Sequence, residues 1–277
     1  MADFAFETQF REEFIAGFEV RQSKLATTVT RRNQMKGNVC TFLVADSGGA
    51  TASTRGISGD IPSRPDNLNQ YNATLIEKHD KASKTDFNIF ASQGDLRQIM
   101  QMTTMAVINR TIDKDILAEM ANATVTTGAA QTMSLTLLEK ARTKLGNNDV
   151  EVEDEDNMFL VVSPAAMAYL RQIPEYASKD YVEVKPLVGP TKRMLRWNGL
   201  NIIDTSLITG KGTAAEICYM YHRNAIGHAV DSRNIMTELD YEKKNRRTWV
   251  VATYQAGTKL LQTNGIVKIT HDGSAFS

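Results

Sequence analysis

The chain has 277 residues, 42% of them hydrophobic and 23% charged, an ordinary globular composition. Its 32 basic residues balance its 32 acidic ones. That balance argues against a dedicated nucleic-acid binder, which carries a basic excess, and favours self-association, because little net charge remains to hold copies apart.

The length suits one large or two modest domains. Cys40 and Cys218 lie far apart, without metal-ligand spacing, which fits a reducing compartment. The opening MADFAFETQF has neither a basic leader nor an apolar core, so no secretory signal is expected. No apolar run approaches the roughly 18 residues that span a bilayer. These readings together point to a soluble cytoplasmic protein without a membrane partner.

In chain order, residues 4–18 place Phe6, Phe10, Phe14, Ile15 and Phe18 at helical spacing. This short amphipathic helix either packs on its own domain or serves as an arm that docks on a neighbouring subunit. A polar extended stretch follows from Ser23 to Asn38. Val39–Ala45 (VCTFLVA) reads as a strand. From Asp46 to Tyr71, Gly, Ser, Pro, Asn and Asp dominate, and strand character returns at Asn72–Lys78. Two strands around so long a breaker-rich segment predict a protruding hairpin. Loops beyond about 12–15 residues are uncommon in compact domains and tend to be functional. Such a loop buries too little to shape itself, so outside contacts must hold it.

Ser92 and Asp95 form a capping box ahead of Leu96, Ile99, Met102, Met105, Ile108, Ile112, Ile116 and Met120, which recur every three or four residues. The spacing predicts a spine helix over about 95–122, with its methionines as core filler. Ser134 caps a second helix that ends at Gly146. Six acids crowd Asp149–Asp156. They lack the glycine of a calcium loop and read as a solvated linker. Met158–Val162 reads as a buried strand, and Ser163 and Pro164 open a helix through about Gln172. Strands are expected at 199–205, 216–221, 225–230, 248–254 and 265–270, giving an α+β fold.

The residues show no catalytic constellation. Asp46-Ser47-Gly48-Gly49 matches the turn around a protease nucleophile only in part, and no histidine is set beside it as a base. Gly210-Lys211-Gly212-Thr213 lacks the spacing of a phosphate loop and reads as a turn. His222 and His228 read as ordinary histidines, and Lys243, Lys244, Arg246 and Arg247 as a solvated turn. No cofactor and no metal are expected.

The order of these parts resembles the tailed-phage major capsid proteins of the Hong Kong 97 fold. The passages that carry the resemblance are Phe159-Leu-Val-Val-Ser-Pro164, Gly199-Leu-Asn-Ile-Ile203, Ala225-Ile-Gly-His-Ala-Val230 and Gly265-Ile-Val-Lys-Ile269. The resemblance implies an N-terminal arm over 1–36 and an extended loop over 37–80. It implies a peripheral domain from 81–150 and 233–277 around the spine helix, and an axial domain over 151–232. A structural, non-enzymatic shell subunit would follow, forming pentamers and hexamers of an icosahedral capsid around double-stranded DNA in the virion, assembled in the host cytoplasm. Implied partners are a separate scaffolding protein, a portal, a decoration protein, and packaged DNA held by weak non-specific contact. Phe6, Phe10, Phe14, Arg55, Gly56, Gly59 and Arg64 become the expected inter-subunit contacts. The family's type member cross-links its shell through a loop lysine, an asparagine and a glutamate. Here no lysine lies between Lys36 and Lys78, and no acid between Glu242 and Asp272, so no such cross-link is expected. The competing readings are an encapsulin-like compartment of the same fold and an α+β enzyme with an unrecognised site.

Overall fold

The computed structural model describes residues 22–34, 36–57, 59, 61–64, 67–91, 96–174, 195–231 and 235–276. Its first half contains β1 (Thr30–Gln34), β2 (Val39–Ala45), β3 (Leu68–Thr74), β4 (Ile76–Thr85), α1 (Asp86–Ala91), α2 (Leu96–Met120) and α3 (Leu135–Gly146). The second half contains β5 (Met158–Val162), α4 (Pro164–Leu170), β6 (Leu195–Trp197), β7 (Leu200–Asp204) and β8 (Glu216–His222). Four strands complete it: β9 (Ile226–Asp231), β10 (Met236–Glu242), β11 (Arg247–Leu260) and β12 (Ile266–His271). The arrangement is α+β, and among the described residues no helix is long and apolar enough to cross a membrane.

The chain divides into two compact units. The larger takes Lys24–Ile76, Lys114–Ser232 and Ala256–Ser277, and the smaller includes Glu77–Asp113 and Arg233–Gln255.

The larger unit is organised on β5, whose five apolar residues are all buried. A strand buried on both faces reads as an unbroken apolar run, which is what MFLVV is. The sheet order is β12-β8-β5-β7-β6, with β5 parallel to β7 and antiparallel to β8. Leu137, Leu138, Ala141 and Leu145 of α3 and Ala166, Met167 and Leu170 of α4 pack into the same core as Leu160 and Val162. Both helices begin on a serine. Ser134 Oγ accepts from the Leu137 N–H at 3.3 Å and Ser163 Oγ from the Ala166 N–H at 3.0 Å, each satisfying an amide that the helix leaves unpaired. Elsewhere in this unit β1 lies parallel to β9, and the Ala256–Leu260 end of β11 pairs antiparallel with β9. Thr28 Oγ1 meets the buried Tyr221 hydroxyl at 2.5 Å, which ties the segment before β1 to β8.

In the smaller unit the Arg247–Thr253 part of β11 pairs antiparallel with β10, and β4 also pairs with β11. Val250 and Met100 form a small buried cluster there with Ala82 and Ile89 beside it. Lys81 stacks its ammonium over the Trp249 ring at 5.0 Å.

Several expectations need correction. The strand expected at 72–78 is two strands: β3 ends at Thr74, pairing with β2, and β4 starts at Ile76. The last long strand extends beyond 248–254, from Arg247 to Leu260. The capping box Ser92/Asp95 lies outside the described residues. On α2, Ile108, Ile112, Ile116 and Met120 are buried as expected. Nearer its start, however, the buried positions are Met100, Thr104 and Ala106, and Met102 is exposed. Met100, Thr104, Ile108, Ile112, Ile116 and Met120 are four residues apart, so the buried stripe follows one i, i+4 row of the helix and Met102 falls outside it.

Candidate functional site

The candidate site is the β2–β3 hairpin. Seven cross-strand pairs run from Val39↔Thr74 to Ala45↔Leu68, so alternate side chains share a face. Cys40 and Phe42 on β2 and Ala73 on β3 turn inward onto Ala229 and Leu261, with Val44, Tyr71 and Leu75 packed beside them. Val39, Leu43 and Leu68 are exposed. The hairpin root therefore has a dry side seated on its own unit and an outer side that stays exposed among the described residues.

Two glycines let the root sit close. A Cβ at Gly227 would stand 2.8 Å from the tip of the Phe42 ring, and one at Gly257 would stand 2.3 Å from the Thr74 carbonyl oxygen. Arg32 lies over the Phe42 ring, 5.6 Å from its centroid, and donates to the Thr41 carbonyl at 3.1 Å. The Leu75 N–H closes the root by donating to the Asn38 carbonyl at 2.7 Å.

Beyond the ladder the loop spans Asp46–Asn67, four residues shorter at its far end than the sequence suggested. Its neck is closed by polar groups. The Asp46 N–H donates to the Asn67 carbonyl at 3.2 Å, and Asp46 Oδ1 accepts from the Gly48 N–H at 2.8 Å and from Asn67 Nδ2. Above the neck the internal bonds are single turns, such as Gly59 N–H to the Gly56 carbonyl at 2.9 Å. Arg55, Gly56, Gly59 and Arg64 are all exposed here. Phe6, Phe10 and Phe14 lie outside the described residues. Sequence reading missed Ile57 and Ile61, which are fully and 69% exposed. Their signal was present as branched apolar residues in a stretch otherwise made of turn formers. Of the twelve large apolar side chains exposed among the described residues, six (Val39, Leu43, Ile57, Ile61, Leu68 and Ile76) fall within residues 39–76.

The segments considered for catalysis are turns and packing residues. Asp46-Ser47-Gly48-Gly49 is the hairpin neck. At Gly210–Thr213 the Thr213 N–H donates to the Gly210 carbonyl at 3.0 Å. Lys243–Arg246 cross the β10–β11 turn in solvent, and Arg247 pairs with Glu242 at 2.5 Å. The acidic run at 149–156 is largely solvated, with Arg196 bridging Asp156 at 2.6 Å and Glu155 at 3.6 Å. No His/Cys/Asp/Glu cluster suited to a metal occurs among the described residues.

His228 is 1% exposed and shares a 2.9 Å hydrogen bond with Thr258 Oγ1. Burial, aided by the Arg31 charge, pushes it down to about 4. It is neutral when folded, whereas an unfolded chain binds a proton there below about 6.5. Its contribution is thus fully present above that value and is lost on acidification toward 4. Unfolding at pH 5 should show a loss of about 2 kcal/mol relative to pH 7 from this group. Denaturant titrations of His228→Gln should lack that part of the slope.

A family model for phage capsid protein matches residues 2–273. The chain belongs to the phage capsid protein family. No curated protein matches it. Solved structures that resemble it include one from Mycobacterium phage Che8, at 16% identity and TM-score 0.75 over 97% of this chain and 98% of that one. The capsid of cyanophage P-SCSP1u matches at 12% identity and TM-score 0.74, covering 96% and 93%. The capsid of Ralstonia phage GP4 matches at 14% and 0.69, covering 98% of each chain. At such identities the likeness is one of fold. The fold is the Hong Kong 97-like capsid fold, and the chain is a structural capsid protein.

Proposed function

We propose that this chain is the major shell subunit of a tailed phage and that its β2–β3 hairpin clasps a neighbouring copy. The observation that carries this reading is the concentration of exposed apolar side chains on the hairpin: five of the twelve among the described residues, with Ile76 just beyond it, in a segment whose loop makes only local turns. A monomer gains nothing by holding Ile57 and Ile61 in water, whereas a second subunit laid against them would bury both, at about 25 cal/mol per Å² of apolar surface. Exposed apolar clusters of this kind mark interaction sites. Zero net charge supports close packing of like copies.

On this reading residues 1–36 are the arm and 37–80 the extended loop. Residues 81–150 and 233–277 form the peripheral domain, and 151–232 the axial domain. Arg55, Gly56, Gly59, Arg64, Phe6, Phe10 and Phe14 contact neighbours. Subunits close into pentamers and hexamers around double-stranded DNA, with scaffolding, portal and decoration proteins as partners. Lys243, Lys244 and Arg246, in solvent at the β10–β11 turn, supply weak, salt-sensitive contact with phosphates. The shell forms in the host cytoplasm and becomes the virion capsid, and the chain has no catalytic role.

Light scattering and negative-stain microscopy of the purified protein test this directly. Closed particles, tens of nanometres across, are expected as salt is varied. A uniform 30.8 kDa species under all conditions would refute the shell reading.

A further inference from the structure

The β6–β7 hairpin turns on two residues, Asn198 and Gly199, between the paired Trp197 and Leu200. Both have positive φ, 49° at Asn198 and 70° at Gly199, as a two-residue hairpin turn of the primed kind requires. Asparagine followed by glycine is also a reactive pair. With no Cβ on the second residue, its backbone nitrogen can approach the asparagine side-chain carbon with little hindrance. The sequence occurs twice in this chain, at Asn198-Gly199 and at Asn264-Gly265, both in the larger unit.

The surroundings of the two differ. Asn198 is exposed, and two side chains of α3 hold its amide. Arg142 Nη1 donates to Asn198 Oδ1 and to the Asn198 main-chain carbonyl, both at 3.2 Å. Asn198 Nδ2 donates to Glu139 Oε1 at 2.8 Å. Arg142 Nη2 also reaches the Val152 carbonyl at 3.4 Å, which fixes the guanidinium from a second side. Gly199 is half-buried, and its N–H donates to no group among the described residues. At the second site Gly265 is buried, and its N–H donates to the Gln262 carbonyl at 3.2 Å. A Cβ there would stand 2.9 Å from that of Ala225, so this backbone has little room to move.

Arg142 sets a cation where negative charge would collect. When the Gly199 nitrogen attacks the side-chain carbon of Asn198, Oδ1 takes the charge of the tetrahedral intermediate. The guanidinium already donates to that atom. Collapse breaks the bond from the side-chain carbon to Nδ2, which leaves as ammonia with the proton from Gly199. The product is a five-membered cyclic imide. Water then opens it at either carbonyl, giving aspartate or isoaspartate. One water is consumed and one ammonia released, with no change of oxidation state.

We propose that Asn198 is a site of self-modification, converted by its own chain to aspartate and isoaspartate with Arg142 as the polarising group. Either product changes the turn. A carboxylate in place of the amide loses the donor that faces Glu139 and sets two acceptors against each other. Isoaspartate also adds a backbone carbon to a two-residue turn, which disturbs the register of β6 on β7. β6 is a three-residue strand at the edge of its sheet, so a disturbed turn releases it readily.

Peptide mapping by mass spectrometry of the folded full-length protein, held for weeks at neutral pH, tests this. Conversion at Asn198 should run about tenfold ahead of Asn264, where ring closure must first give up the Gly265 hydrogen bond. In guanidinium chloride the two sites should convert at like rates, because only the fold separates them. Arg142→Gln should slow Asn198 about tenfold and leave Asn264 unchanged. That is less than the roughly hundredfold that a water-excluded oxyanion donor supplies, because solvent reaches this turn. Parity of the two sites in the folded protein, a lead of Asn198 that survives in denaturant, or an unchanged rate in folded Arg142→Gln would overturn the proposal. Should that variant fail to fold, the wild-type sites decide alone: a lead of Asn198 confined to the folded protein supports the site, and parity or the reverse order refutes it.

Discussion

Gly257→Ala should destabilise the subunit by about 3 kcal/mol, near the upper end of what overpacking costs. The added methyl would stand 2.3 Å from the Thr74 carbonyl oxygen and 2.7 Å from its carbon, both backbone atoms at the end of β3. Neither can swing aside. Relief requires the hairpin root to lift from β11, which would break the Leu75–Asn38 closure and open the seat of Phe42. Gly227→Ala is the informative contrast. Its methyl would meet only the Phe42 ring, at 2.8–2.9 Å, and a ring can tilt, so the cost should be nearer 1–2 kcal/mol. Trimming the ring with Phe42→Leu in the Gly227→Ala background should recover part of that loss, and no companion side-chain change should rescue Gly257→Ala. Denaturant unfolding of the four proteins checks the order. Equal costs at the two glycines would show that the root yields as easily as a ring.

The second large effect concerns assembly. Replacing residues 50–64 with a short Gly-Ser turn should abolish shell formation and leave the subunit as stable as before. The described side chains removed are all exposed, and their loss should shift stability by less than about 0.5 kcal/mol. Shortening the loop returns under about 1 kcal/mol of closure entropy. The neck bonds of Asp46 and Asn67 stay in place to hold the ladder in register. Circular dichroism should show an unchanged fold and light scattering a small, uniform species. Normal shells from the shortened chain would transfer the clasp to another part of the molecule.

Strands built around an unbroken apolar run were the most legible in the sequence. Met158–Val162 and Glu216–His222 were found within a residue of their ends, because burial on both faces writes a continuous apolar run. The hairpin was legible through its breakers. β1 was not: TRRNQ has no apolar pattern, and its place depends on β9, almost two hundred residues away. β10 was missed because it is exposed along nearly its whole length, which leaves no alternation to read. The contacts of Asn198 were illegible for a different reason. Asn198-Gly199 reads as a turn, but only the packing of α3 brings Glu139 and Arg142 to it. Ile57 and Ile61 are hard to read because the turn formers around them dominate the composition of the loop.

The parallel pairing of Thr30 with Gly227 has a consequence for synthesis. A ribosome adding about 5–20 residues per second makes the first strand roughly ten to forty seconds before its partner. Throughout that interval the nascent hairpin exists without Ala229 and Leu261, so Cys40 and Phe42 have nothing to seat against. The inward side of the root therefore waits in water while most of the chain is made, and the emerging polypeptide is most prone to adhere to its neighbours on the same message before residue 261 leaves the tunnel.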